Sequence, residues 1–407
     1  MKDIIYLDNN NTTNLTNDAK KALVVNIKNI ESVDHNKCLL ERCKNIIIDK
    51  FNIDKTKYNV IFTFSSAESN KILINSTINI QSNILRKQPI IITSLYEQEQ
   101  TISHYNNLEK LGACKIIRLK PNSRGLIEPE ELLNVLNFLK NANMLELVCI
   151  ISIIHVDVDT GSKNTIYEIS KLCKHFNIPF HSDISHSIKF GQFDMDMVDA
   201  VSFSFHEYGG PKGAGVLIFN KKTFSKFFTT TDEIIQNNLK LINMNINVIF
   251  SGTIALMNNI RDRDLKNIRL EIMRNEMLKI LSFYFDTYYY HEIIKDNVDS
   301  DKPIALLFGS SKQEWRNPNT IFFAIRCNNH VLFNNDKVVD ILKSKHIFVS
   351  KGNMNNPRIL TSNMDECLLT RCFRISLGDE NLNYQEETIN AMHEICITIQ
   401  NQLNYHA

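Results

Sequence analysis

Short apolar or β-branched runs, Asn59 to Phe64, Pro89 to Thr93, Cys114 to Leu119, Leu147 to Ile154, Ile178 to Phe180, Ala200 to Phe203 and Gly215 to Phe219, recur between amphipathic stretches such as Ile166 to Phe176. Strands that are apolar almost end to end are buried on both faces. Alternation of such strands with helices predicts an α/β fold with a mostly parallel sheet covered on both sides. Ligands on these sheets bind beyond the carboxyl ends of the strands. Here those ends carry Ser65-Ser66, Asp183 and Ser204-Phe205-His206, far apart in sequence yet able to converge on one crevice.

After about residue 258 the pattern changes to a long charged helix, Ile260 to Phe285, and then to mixed strands such as Thr320 to Arg326, which predicts a second, smaller α+β domain. The Asp- and Lys-rich stretch Lys295 to Pro303 reads as a solvated loop. The expected division is a large domain over 16–258 and a small one assembled from 1–15 and 259–407. A length of 407 residues exceeds the size at which single cores usually split.

The 46 basic and 45 acidic residues leave a formal charge of +1, so no overall field favours nucleic acid or an anionic membrane, and neither partner is expected. Nine cysteines without a compact framework point to reduced thiols. The segment Met1 to Tyr6 lacks the basic and apolar regions of a secretion signal, and no apolar run approaches the roughly 18 to 20 residues of a membrane span. A cytoplasmic protein is therefore expected. No internal repeat and no metal site are expected either.

Six segments carry a more specific pattern. They are Tyr6-Leu7-Asp8-Asn9-Asn10-Asn11-Thr12-Thr13, Phe62-Thr63-Phe64-Ser65-Ser66-Ala67-Glu68-Ser69-Asn70, His181-Ser182-Asp183-Ile184-Ser185-His186, Ser204 through Gly213, Phe250-Ser251-Gly252-Thr253 and Arg371 through Gly378. In that order they resemble the YLDNNATT arm, the FTSGATESN turn, HVDAAQ, the cofactor-lysine segment, RSGT and SIRFSLG of the NifS/IscS-like cysteine desulfurases. Those enzymes belong to the class V pyridoxal phosphate (PLP) family. The resemblance extends loosely to the NifS-like proteins of large DNA viruses.

The resemblance implies the PLP-dependent transferase fold (aminotransferase fold type I) and a homodimer. It assigns cofactor contacts to Ser65, Ser66, Ala67, Asp183, His186, Ser204, Phe205, His206 and Thr253, and substrate contacts to Asn10 and Arg374. Asp183 would face the pyridine nitrogen, His186 the ring hydroxyl, Thr253 the phosphate of a neighbouring subunit, and Arg374 a substrate carboxylate. A helix start at Ser65-Ser66 suits a phosphate, and Ser66 reads equally well as a helix cap.

The departures fall on chemistry. Glu207 stands where the family has its Schiff-base lysine, and a carboxylate has no nitrogen to condense onto an aldehyde. Asn355 occupies the position of the nucleophilic cysteine, Gln98 that of the histidine stacked on the ring, and Val158 that of an asparagine near the ring hydroxyl. General acid/base groups each contribute roughly 10² to 10⁴ in rate. The expectation is therefore a homologue without desulfurase activity that acts by binding, with itself, with an active desulfurase or with an iron–sulfur assembly protein. The alternatives are an enzyme that holds PLP without a covalent link, using His186 or His206 as base, and residual desulfurase-type sulfur transfer. PLP is expected to bind non-covalently or not at all.

Overall fold

The computed structural model describes residues 4–27, 33–85, 87–228, 245–293, 302–326, 335–351, 368 and 371–404. The main sheet holds seven strands: β2 (Tyr58–Thr63), β3 (Ile90–Ser94), β4 (Lys115–Leu119), β5 (Val148–Ser152), β6 (Phe180–Asp183), β7 (Ala200–Ser204) and β8 (Gly215–Asn220). Their order is β2-β8-β7-β6-β5-β3-β4, with every pairing parallel except the two made by β8. Each expected strand is present.

Alternation within a strand explains the unbroken apolar runs. Val60 and Phe62 face one core while Ile61 faces the other, and Ile90 and Ile92 are separated from Ile91 in the same way. Helices α3 (Ser66–Leu85), α4 (Glu99–Lys110), α5 (Pro129–Asn141) and α6 (Ile166–His175) supply the coverings.

The smaller sheet runs β13 (Ser350–Lys351), β14 (Cys372–Ser376), β11 (Thr320–Arg326), β10 (Ile304–Leu307), β9 (Asp286–Tyr289), and is antiparallel apart from the β9–β10 pair. Its core includes Phe323, Phe373, Met277 and Ile395. The first strand, β1 (Ile5–Tyr6), pairs in parallel with β12 (Ile347–Phe348), and the chain then runs beside β14 through a bridge between Asp8 and Ser376.

The long charged helix expected over Ile260 to Phe285 is Arg263–Tyr284, and a separate helix, Ile246–Arg261, precedes it. Asp262 between them leaves helical geometry, with φ −115° and ψ 19°. Packing sets the break. The first helix lies on α1 (Asn17–Ile27) and α2 (Val33–Lys50), and the second lies on the C-terminal helix Gln385–Asn404.

Among the described residues, no helix is long and apolar enough to cross a membrane. Residues 295–301 of the expected Lys295–Pro303 loop lie outside the described residues.

Candidate functional site

Because β8 is antiparallel to both of its neighbours, β2 points the same way as β7, and the carboxyl ends of β2, β3, β5, β6 and β7 share one edge. That edge opens into a cavity of about 350 Å³, within the usual range for ligand pockets of roughly 300 to 1,000 Å³. Its lining includes Ser65, Ser66 and Ala67 after β2, Gln98 after β3, Val158 and Asp159 after β5, His186 after β6, and Ser204, His206 and Glu207 at β7. Asn10, Asn11, Lys351 and Arg374 come from the arm and the second sheet.

The α3 end of the cavity is held by serines. The Ser66 N–H donates to Ser204 Oγ at 2.7 Å, and the Ser204 hydroxyl donates to Ser66 Oγ at 3.0 Å. Ser65 Oγ accepts from Glu68 N at 3.2 Å, so Ser65 rather than Ser66 caps the helix. The start of β8 passes so close that a Cβ on Gly215 would lie 2.5 Å from the Ser65 backbone carbon. Glycine there lets the serine turn meet the sheet.

At the centre, Glu207 is buried beside two imidazoles. Its Oε2 is 3.1 Å from His186 Nδ1, and its Oε1 is 3.8 Å from His206 Nε2. Neither His186 Nδ1 nor Glu207 Oε2 has an aligned hydrogen-bond partner despite the short separation. Burial pushes the Glu207 pKa up, but His186, His206 and Lys189 together outweigh it and the net shift is downward, which favours the ionised carboxylate. Burial lowers the His206 pKa, with Glu207 opposing the shift.

Arg374 forms a second ionic cluster. Its Nη1 donates to Asp159 Oδ1 at 2.6 Å and its Nη2 to Asp8 Oδ1 at 2.7 Å. Burial opposes the Arg374 charge, and the two carboxylates more than compensate, raising its pKa. Sequence reading singled out Arg374 and missed both anions that engage it. Asp8 lies inside a segment already marked and Asp159 follows the marked Val158, but nothing in linear spacing shows that three such distant residues meet.

Other candidates fall outside the cavity or are fully engaged. Asn10 lines the cavity, but its amide donates to Val158 O at 2.8 Å and to Thr320 Oγ1 at 2.9 Å, so both protons are used. Asp183 lies deeper, accepting from Asn70 Nδ2 at 3.0 Å and from Ser185 N at 3.0 Å; burial raises its pKa. Phe205 does not reach the cavity and is wholly buried among Phe62, Phe203 and Tyr208. Thr253 sits inside its helix, donating to Ile249 O at 2.9 Å.

Gln98 approaches Ser66 Oγ at 3.4 Å, and its Nε2 is buried without a partner. Asn355 lies outside the described residues. Burial pushes the Cys372 thiol up, so it is not a thiolate near Arg374. Among the described residues, no group of three or more ligating side chains could hold a metal ion.

A seven-stranded mixed sheet with a smaller second sheet, open at the strand ends, is the PLP-dependent fold type I. The NifS-like protein from Rickettsia africae shares this fold with a TM-score of 0.74 and 21% identity, over 97% of this chain and 99% of that one. The cysteine desulfurase from Thermococcus onnurineus NA1 does so with a TM-score of 0.72 and 15% identity, over 97% and 95%.

The family model for aminotransferase class-V matches residues 5–239, and the chain belongs to that family. Cysteine desulfurase IscS of Dictyoglomus turgidum is 29% identical over 233 residues, covering 55% of this chain and 56% of that protein. IscS of Rickettsia prowazekii is 29% identical over 187 residues, covering 45% and 42%. The matches thus span about half the length of these curated relatives.

Proposed function

We propose that this protein is a desulfurase homologue that binds rather than transforms, with Glu207 at the family's Schiff-base position and Asn355 at that of the nucleophilic cysteine. One observation carries this reading: the buried, ionised Glu207 paired with His186 at 3.1 Å, at the centre of the cavity. The described residues do not suit a covalently held PLP. A carboxylate forms no imine, and Lys351, the one lysine among the lining residues, is ion-paired with Asp336. Both Asp183 oxygens are engaged inside the protein. The binding role extends to a dimer of this chain or a complex with an active desulfurase or an iron–sulfur assembly protein, built on units 16–258 and 1–15 with 259–407.

The test is to mix the purified protein with PLP, record the visible aldimine band before and after borohydride, and map any adduct. In parallel, alanine and persulfide are assayed after adding free cysteine. No band and no products are expected. A reducible adduct on a lysine of the cavity, or alanine formed from cysteine, overturns the proposal.

A second reading, PLP held without a covalent bond, is favoured by the gathering of Ser65, Ser66, Ser204 and His206 at the start of a long helix, whose dipole suits a phosphate. Equilibrium dialysis separates the two: retention of PLP without an aldimine band supports the second reading, and no retention removes it.

A further inference from the structure

Beside the Phe205–Tyr208 turn lies a second, smaller cavity of about 50 Å³, which exceeds the roughly 10 to 15 Å³ that one water requires. Three buried polar residues line it, Lys189, Tyr208 and Asn259. Lys189 is 8% exposed, its amine stands 4.9 Å from the Phe190 ring, and the Glu207 and Asp379 carboxylates act on it through charge. Tyr208 is 2% exposed and Asn259 9% exposed, and neither the Tyr208 hydroxyl nor Asn259 Oδ1 has a hydrogen-bond partner. Leaving buried polar groups in this way is unfavourable. Two of them beside a buried amine form a site built for a ligand.

The chemistry of the three groups selects that ligand. An ammonium and a phenol are donors and call for a carboxylate, whereas Asn259 Oδ1 is an acceptor and calls for a hydroxyl on the same molecule. The apolar walls, Phe190, Leu270 and Leu377, exclude a large polar body. Of the rim acids, Asp379 is paired with Lys266 at 2.6 Å and also acts on Lys189 through charge, and Glu380 accepts from Asn14.

We propose that this cavity binds a small 2-hydroxycarboxylate, with its carboxylate on Lys189 and Tyr208 and its hydroxyl on Asn259. Burial holds the Lys189 pKa down to about 8, with Glu207 and Asp379 opposing the shift, so much of the amine is neutral near that pH and available to a labelling reagent.

Glycolate and acetate serve as probes, and each lysine of the whole chain is followed by reductive methylation read by mass spectrometry. The Lys189 rate should fall as 1/(1 + [glycolate]/Kd) while exposed Lys171 is unaffected. Acetate, without the hydroxyl, should protect more weakly. Tyr208→Phe keeps the ring in its aromatic cluster and should weaken the protection. Asn259→Asp places an anion in the cavity and should slow Lys189 methylation without any ligand. The proposal is overturned by the absence of saturable protection, by equal protection from chloride, or by protection unchanged in both variants.

Discussion

At the residue scale, the strongest local commitment is Arg374 between Asp8 and Asp159. A buried charge stripped of its partner costs about 3 to 5 kcal/mol, whereas an apolar replacement of a whole cluster is often neutral. Arg374→Ala should therefore lower the unfolding free energy by about that amount in urea titrations. Arg374→Met combined with Asp8→Asn and Asp159→Asn should recover most of it. A small loss for Arg374→Ala would show that the ion cluster is solvated. Glu207→Lys provides a second measurement. An amine at that position should give a borohydride-reducible aldimine band with PLP, and no such band would show that the pocket excludes the cofactor for reasons other than the missing amine. Glu207 itself was legible in the sequence because a single type change at a marked position is visible. The buried anions around Arg374 were not, since three carriers 8, 159 and 374 residues along the chain meet only after two sheets form.

At the element scale, strands were legible because burial on both faces leaves them apolar throughout. The separate helix Ile246–Arg261 was not, because only Asp262 stands between it and Arg263–Tyr284 and no Gly or Pro marks the step. The apparent cofactor residue Phe205 was misleading for a related reason: it follows a strand end yet turns into the core. Gly252 shows what that packing requires. A Cβ there would stand 2.4 Å from Phe205 Cγ, a ring that is wholly buried. Gly252 lies inside a helix, where alanine alone would be favoured by roughly 0.5 to 1 kcal/mol. Overpacking costs about 1 to 3 kcal/mol and should win. Gly252→Ala is expected to destabilise, and Phe205→Leu in the same chain should relieve part of the cost. A double-mutant cycle by thermal or urea unfolding reads the coupling, and additive effects would refute this account of the glycine.

At the scale of the whole molecule, two histidines buried as neutral rings set how stability depends on pH. His181 is held by Ser152 Oγ at 2.9 Å and Ser202 Oγ at 3.1 Å, and burial lowers its pKa to about 3. His155 meets Ser187 Oγ at 2.9 Å and is lowered to about 3 by burial, assisted by Lys163. The unfolded chain protonates both near pH 6.5, whereas the folded chain does not until far lower. Their contribution is therefore fully present above about pH 6.5 and is lost as pH falls toward the folded values. Each ring should remove roughly 1.4 kcal/mol per pH unit below that point, or about 3 kcal/mol per unit together. Asp183 works the other way at lower pH, because its raised pKa lets the folded state take a proton first. Glu207, with its lowered pKa, adds to the loss below the ordinary carboxylate range. Urea midpoints should thus be flat from about pH 7.5 to 6.5 and then drop steeply. His181→Asn and His155→Gln should each start less stable, since they disturb buried hydrogen bonds, yet each should reduce the slope between about pH 6.5 and 5 by roughly 1.4 kcal/mol per pH unit. The slope is the discriminating quantity. A profile equally steep in both variants would place the titrating groups elsewhere in the fold.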